Sequence, residues 1–398
     1  MSNFLASKSY LALKPQVAPG TPIIPSNFFA LVSESIRINP NFTADRRMKG
    51  LDWKSDDLLK GSRKIEGDIV VLGDPEVLGH LLNMTYLKGT TTGDAASGYT
   101  HPFTVGDGDS YSIEIPRGNY AQRIWGARAE SLKVDYEDNK AKITVSIKAL
   151  GQFFSASLAV ALTGAGMTTI VLSTDSDLRP SDGLVIGDKV IVGGVELTLT
   201  SVNVDGKTIG FASTTVTASV GDPVMLKAQT PSLGTQREPL YLGNTLAGIA
   251  PTSALADTAA GSRATATPCY NLSFTLKNNL LDAPASGYTG PAALLNQVKE
   301  AQIEISRLFE TAGQHQKWIE NVKQAITLIA TGRFIKTDLS TSEKLTVKFH
   351  NTKLITNEEP LDAGGYIFDK QSFEALYDNS DGKAIEIELV NRTADTAY

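Results

Sequence analysis

Cysteine is almost absent from this 398-residue chain: Cys269 is the single one, so no internal disulfide framework exists. A reducing compartment such as a cytosol fits that usage. Long apolar runs are missing as well. No stretch of about 18 apolar residues offers a membrane helix, and residues 1–20 lack the basic-then-apolar pattern of a signal peptide, so no membrane insertion is expected. Basic charge is not in excess either. The 37 Lys and Arg against 43 Asp and Glu leave a net charge of −6. That argues against an ordinary basic nucleic-acid surface, though not against a protein past which DNA slides.

The residues of chemistry are equally sparse. His80, His101, His315 and His350 are scattered, and none has metal-ligand spacing to a Cys, Asp or Glu. His315 and Glu320 stand in HQKWIE, which is not a metalloprotease pattern. No nucleophile elbow, dinucleotide fingerprint or phosphate loop occurs, and Gly193-Gly194 reads as a hairpin turn. Cys269 reads as a small core residue and Glu358-Glu359 as a solvated acidic turn. Neither an enzyme nor a cofactor is expected.

What the chain does have is alternation. Its 41% hydrophobic content and 34 glycines suit a loop-rich β protein of two or three domains. Ile65, Gly67, Ile69 and Val71 alternate with Glu66, Asp68 and Val70, the period of a half-buried strand. Asp74-Pro75-Glu76 then starts a helix, with Asp74 as N-cap and Val77, Leu78, Leu81 and Leu82 as its apolar face. Residues 131–136 and 141–150 read as a hairpin around Asp138-Asn139, with Lys142, Thr144, Ser146 and Lys148 on the wettable face. Residues 1–27 carry four prolines and read as an extended arm. From 169 to 227 the chain is Val/Thr/Gly-rich with turns at regular spacing, the pattern of a small barrel or sandwich. Residues 231–267 read as a connection, and Trp318, Val322, Ala325, Ile326 and Ile329 as the stripe of a helix over 315–329.

The succession IEGDIVVLGDPEVLGHLL, YTHPFT, SYSIEIPRG and RIWGARAESLKVDYEDNKAKITVSIKALG resembles the tail tube proteins of non-contractile, long-tailed bacteriophages over residues 30–151. A second, looser copy of the same order starts at Pro268: CYNLSFTLKNNL matches FFALVSESIRINPN, AQIEISRLF matches KIEGDIVVL, KLTVKFHNT matches SYSIEIPRG, and KAIEIELVN matches KITVSIKAL. The expected fold is mainly β with short helices. Two tail-tube-like β-sandwich modules (28–157 and 268–398) would flank an inserted β domain (158–230) on the tube exterior, after the arm (1–27) and with a linker (231–267).

The resemblance implies a virion protein, made in the bacterial cytoplasm, that polymerises as stacked rings into a conduit for DNA. Six-fold walls with two modules per chain give homotrimeric, pseudo-hexameric rings. Its partners would be itself, the tape measure protein and passing DNA in the lumen, and the tail terminator and distal tail proteins. A bore that passes DNA should be acidic or neutral, which nominates Asp135, Glu137 and Asp138 in the first copy and Glu386 and Glu388 in the second. The long charged loop with Arg46, Arg47, Lys49, Asp52, Trp53, Asp56 and Asp57 would stack one ring on the next. Two other readings stay open: a carbohydrate-binding β-sandwich decoration protein, and the inner tube of a contractile injection system.

Overall fold

The computed structural model describes residues 9–44, 58–59, 61–174, 179–203, 205–233, 238–286, 290–309, 313–335, 341–359, 367–394 and 398. Strands dominate among them, with three short α-helices, as a mainly-β sequence leads one to expect. The loop residues Arg46, Arg47, Lys49, Asp52, Trp53, Asp56 and Asp57 lie outside the described residues.

The first strand corrects the reading of residues 1–27 as an arm. Tyr10, Leu11, Ala12 and Leu13 of β1 (Tyr10–Pro15) are all buried, between residues 27–30 and residues 111–117. The four-residue apolar run YLAL is enough to claim a place in the sheet, and its proline stands at the strand's end, where no ladder hydrogen bond is lost. β2 (Arg37–Asn39), with Ser33–Glu34 before it, pairs with β3 (Lys64–Leu72). Then α1 (Pro75–Thr85) begins as its sequence dictates: Asp74 accepts from the Glu76 N–H at 2.8 Å, and Val77, Leu78, Leu81 and Leu82 are buried.

β4 (Gly98–Thr104), β5 (Tyr111–Arg117), β6 (Tyr120–Glu137), β7 (Lys140–Ala149) and β8 (Gly151–Phe153) follow. Asp138 and Asn139, with φ of 50° and 66°, make the left-handed turn between β6 and β7 that Asp-Asn chemistry favours. β6 serves two sets of neighbours. Its first half pairs with β5 and β8, its second with β7.

Residues 155–226 form a separate six-stranded sheet with an apolar cluster of its own, to which β6 and β8 lend Ala121 and Phe153. The indole of Trp125 is in close contact with Gly151 and Gly183. A Cβ at either glycine would stand 2.1 Å from the ring, so the six-stranded sheet approaches β6 this closely because both residues lack one.

The stretch expected as a connection carries β9 (Thr245–Ala250) and α2 (Ser253–Ala260). No local alternation announces β9, because its partner, Gln324–Phe334, is remote in the chain and its helix is a short Ala-rich turn capped by Thr252. β10 (Asn271–Lys277), β11 (Glu300–Leu308), α3 (Gly313–Ile319), β12 (Gln324–Phe334), β13 (Ser342–Glu358), β14 (Phe368–Leu376) and β15 (Ile385–Asn391) complete the order.

The expected helix over 315–329 is therefore wrong beyond Ile319. Asn321 turns the chain at φ 52°, and Ala325, Ile326, Leu328 and Ile329 belong to β12. This strand is covered on both sides, by the common core and by α2, so it shows a continuous apolar run rather than alternation, and such a run also satisfies a helical stripe.

The two halves of the chain are stitched together twice. β6 pairs with β10, and β4 pairs with β15, and one apolar core runs through both halves. Asn278, just beyond β10, secures the first seam: its amide donates to Thr85 O at 3.0 Å and Ala129 O at 2.8 Å, and its backbone N–H donates to Glu130 O at 2.8 Å. Asn278→Ala removes the side-chain donor from two buried carbonyls and should lower stability by about 2 kcal/mol. Urea unfolding measures it, and a midpoint unchanged from wild type would mean that the seam does not depend on this side chain.

Candidate functional site: one polar sheet face and two open edges

Seven successive antiparallel pairings join eight strands side by side: β2, β3, β7, the second half of β6, β10, β11, β14 and the second half of β13. Alternation gives this run two unlike faces. Ile69, Val145, Leu132, Phe274, Ile303 and Phe373 point into the core. The other face is made of polar rows crossing the strands. One row runs Val70, Thr144, Lys133, Thr275, Gln302, Glu374 and Lys353, and the next runs Leu72, Lys142, Asp135, Ser273, Glu304, Ser372 and Thr356. Neither row contains an aromatic side chain.

Four lysines of this face have a carboxylate beside them. Lys133 Nζ is 3.4 Å from Asp135, Lys148 is 3.0 Å from Glu130, Lys277 is 3.9 Å from Glu300, and Lys142 meets Glu137 at 2.5 Å. The hydrogen bond from Lys142 holds the Glu137 carboxyl below its ordinary range and pushes the lysine up. Asp68 accepts from Ser146 Oγ at 2.6 Å. Lys142 and Lys148, the two residues that disturb an acidic reading of the hairpin, are thus paired with carboxylates.

Of the residues nominated from sequence, Asp135, Glu137 and Asp138 stand together at the β6–β7 hairpin on this run. Glu386 and Glu388 do not join them. They lie on β15, which pairs with the first half of β13 and with β4, outside the eight-strand run. Glu386 Oε2 is 2.9 Å from Lys383 and 3.6 Å from His350 Nε2, and Glu388 is 3.8 Å from Lys344. Sequence reasoning also missed Glu304, Glu374 and Lys353 as members of these rows, and Lys277 as a member of the same face, since only the pairing of β10, β11, β14 and β13 brings them into line.

The run ends in edges. β2 pairs on one side with β3, and the second half of β13 pairs on one side with β14, with no further strand beyond either among the described residues. An unpaired row of backbone groups is a template for another chain. Among the described residues no group of three or more His, Cys, Asp or Glu could hold a metal, and no helix is long and apolar enough to cross a membrane. Compared with known proteins, the chain matches no family model and no curated protein.

Proposed function

We propose that this chain is the building block of a tube of the kind found in non-contractile phage tails: a structural virion protein, not an enzyme, that assembles as stacked rings. The observation that carries the reading is a pairing order that recurs in the two halves. In the first, β1 pairs with β5, β5 and β8 with the first half of β6, and β7 with its second half and with β3. In the second, β9 pairs with β12, β12 and β15 with the first half of β13, and β14 with its second half and with β11. A short helix follows β3 and β11 alike.

Two backbone details strengthen the correspondence. The long strand breaks register with its hairpin partner once in each half, between Ala129 and Ser131 and between Leu354 and Thr356. Asn41 and Asn279, which follow β2 and β10 by the same spacing, both have φ 49°. On this reading the chain is two tail-tube-like β-sandwich modules, and the matches drawn from sequence for residues 344–352 and 383–391 shift by one element: β12 answers β5, β14 answers β7 and β15 answers β8.

Two joined modules still leave two open edges, and further copies satisfy them by closing a ring; three chains supply six modules. The polar face, with carboxylates beside four of its lysines, then lines the bore. DNA binds tightly where free Lys and Arg displace its counterions, so a wall on which Lys133, Lys142, Lys148 and Lys277 are each paired with a carboxylate favours sliding of the polyanion, and of the tape measure protein before it. Asp135, Glu137 and Asp138 remain lumen candidates. Glu386 and Glu388 leave that role to Glu304 and Glu374. The six-stranded sheet of residues 155–226 belongs on the outside, where it leaves the passage free, and tail terminator and distal tail proteins are partners at the tube's ends.

Electron microscopy of the purified protein tests the reading. Rings or tubes with six-fold end-on views, and a native ring mass of three chains, are expected. Six chains per ring would overturn the duplication, and a protein that stays monomeric at high concentration would overturn the tube.

A further inference from the structure

The seam inside each chain is a template for the seam between chains. We infer that residues 356–358 of one copy pair antiparallel with residues 37–39 of the next, with Glu358 facing Arg37. The inference rests on the tube reading above and specifies its contact residue by residue.

Inside the chain, β6 meets β10 with Ser131 opposite Lys277 and Lys133 opposite Thr275. The register break shared by the two long strands aligns Ser131 with Thr356, and hence Lys133 with Glu358. Counting back from Asn41 and Asn279 aligns Arg37 with Thr275 and Asn39 with Lys277. Carrying the internal seam over therefore sets Thr356 opposite Asn39, Asn357 opposite Ile38 and Glu358 opposite Arg37.

Charge and backbone both fit this register. Arg37 and Glu358 are exposed and neither has an ionic partner among the described residues. Within its own sheet Arg37 stands opposite Glu66, and Glu358 opposite Lys370. Closure produces one row of alternating sign: Lys370, Glu358, Arg37, Glu66. Opposite charges in cross-strand register are stabilising, and a slip that apposed like charges is penalised.

The internal seam also has a hydrogen bond from Asn278 N–H to Glu130 O. The counterparts are Pro40, which has no N–H, and Ile355, whose carbonyl already accepts from Trp318 Nε1 at 3.0 Å. Donor and acceptor are removed together, so neither is stranded at the new seam.

The helices agree. α1 packs on β6 and reaches across to β13 and β15 of the other half, while α3 packs on β13. Trp318 and Ile319 of α3 are left 36% and 64% exposed. The next copy is what would cover them.

Charge reversal and crosslinking of the full chain test this register. Arg37→Glu or Glu358→Arg alone should cut the fraction of protein in rings about tenfold or more, and the two together should restore it. Unchanged thermal midpoints of the unassembled variants would establish that the fold survives. Arg37→Cys combined with Glu358→Cys should give disulfide-linked ladders under oxidation, with neither single variant doing so. Rings that form normally in both reversals and never crosslink would overturn the register and leave the tube standing. Failure of the wild-type chain to form any ring would overturn both.

Discussion

Arg123→Ala is expected to lower the unfolding free energy by about 3–5 kcal/mol, because it abandons buried carboxylates. The guanidinium is 1% exposed, donates to Glu114 Oε2 at 2.9 Å, and reaches Asp188 just before the third strand of the six-stranded sheet. Glu114 also accepts from Tyr10 Oη at 3.1 Å, from Gln229 Nε2 at 3.0 Å and from Gln229 N at 3.3 Å. One charge thus ties β1, β5, β6, the six-stranded sheet and the segment leaving it. Burial disfavours the cation, yet Asp188 and Glu114 more than offset it and hold Arg123 protonated.

Burial already pushes the Asp188 carboxyl up against the pull of Arg123. In the variant that pull is gone, so Asp188 takes up a proton more readily in the folded than in the unfolded state. A raised folded pKa contributes stability that is present at low pH and lost as pH rises. The deficit of Arg123→Ala should therefore shrink on going from pH 8 to pH 5. Arg123→Met with Glu114→Gln and Asp188→Asn, which removes the charges as a set, should recover most of the loss. Chemical denaturation at several pH values measures all of this, and a single-variant deficit under about 1 kcal/mol would remove the junction from the account of stability. It also follows that excising residues 158–226 without neutralising Arg123 and Glu114 would damage the body it leaves behind.

Acid should destabilise the wild-type chain through His80, by about 1.4 kcal/mol for each pH unit below 6.5. The ring is 2% exposed and packed edge-on against Phe29, Tyr111 and Tyr398 at centroid distances of 5.4, 5.9 and 4.7 Å. Its Nδ1 is 3.4 Å from Tyr111 Oη, which accepts from Asn83. Burial, helped by the charge of Lys88, lowers its pKa from 6.5 to about 3. Between those values the unfolded chain binds the proton and the folded one does not, so stability rises with pH across that window and is level above it. Carboxylates held low by cations, such as Asp378 beside Lys323, act in the same direction but only below about pH 4. His80→Gln should flatten the dependence of the thermal midpoint between pH 6.5 and 4.5. A wild-type profile as flat as the variant's would show that the ring reaches water or a counter-charge.

Local physics was legible in the sequence and remote pairing was not. Asp74-Pro75 caps a helix within its own four residues, and Asp138-Asn139 turns a hairpin whose arms are adjacent, so both could be read directly. β12 could not: with cover on both faces, its apolar run carries no period that separates strand from helix. β9 is defined chiefly by β12, and β1 by residues 27–30 and β5. The polar face was half visible, through the hairpin carboxylates. Its other members share a row only because β6 meets β10, two segments that nothing nearby in sequence connects. Arg123 is a further case, since a single arginine in an alternating stretch gives no sign that its carboxylates arrive from β5 and from beyond residue 180.

The pairing of β4 with β15 sets a clock. His101 and Asn391, whose side chains meet across it at 3.2 Å, are 290 positions apart in the chain. At ribosomal elongation speeds that interval takes about 15–60 s, during which β4 has been made and its partner has not. β4 can already pair on its other side with residues 87–88 and 92–94, but throughout that time the edge meant for β15 is open to every neighbour on the polysome, the exposure that promotes off-pathway association. A chaperone that shields β-edges is therefore most needed after residue 104 has left the exit tunnel and before residue 391 has. Transcripts cut short anywhere in between yield products that cannot close this edge.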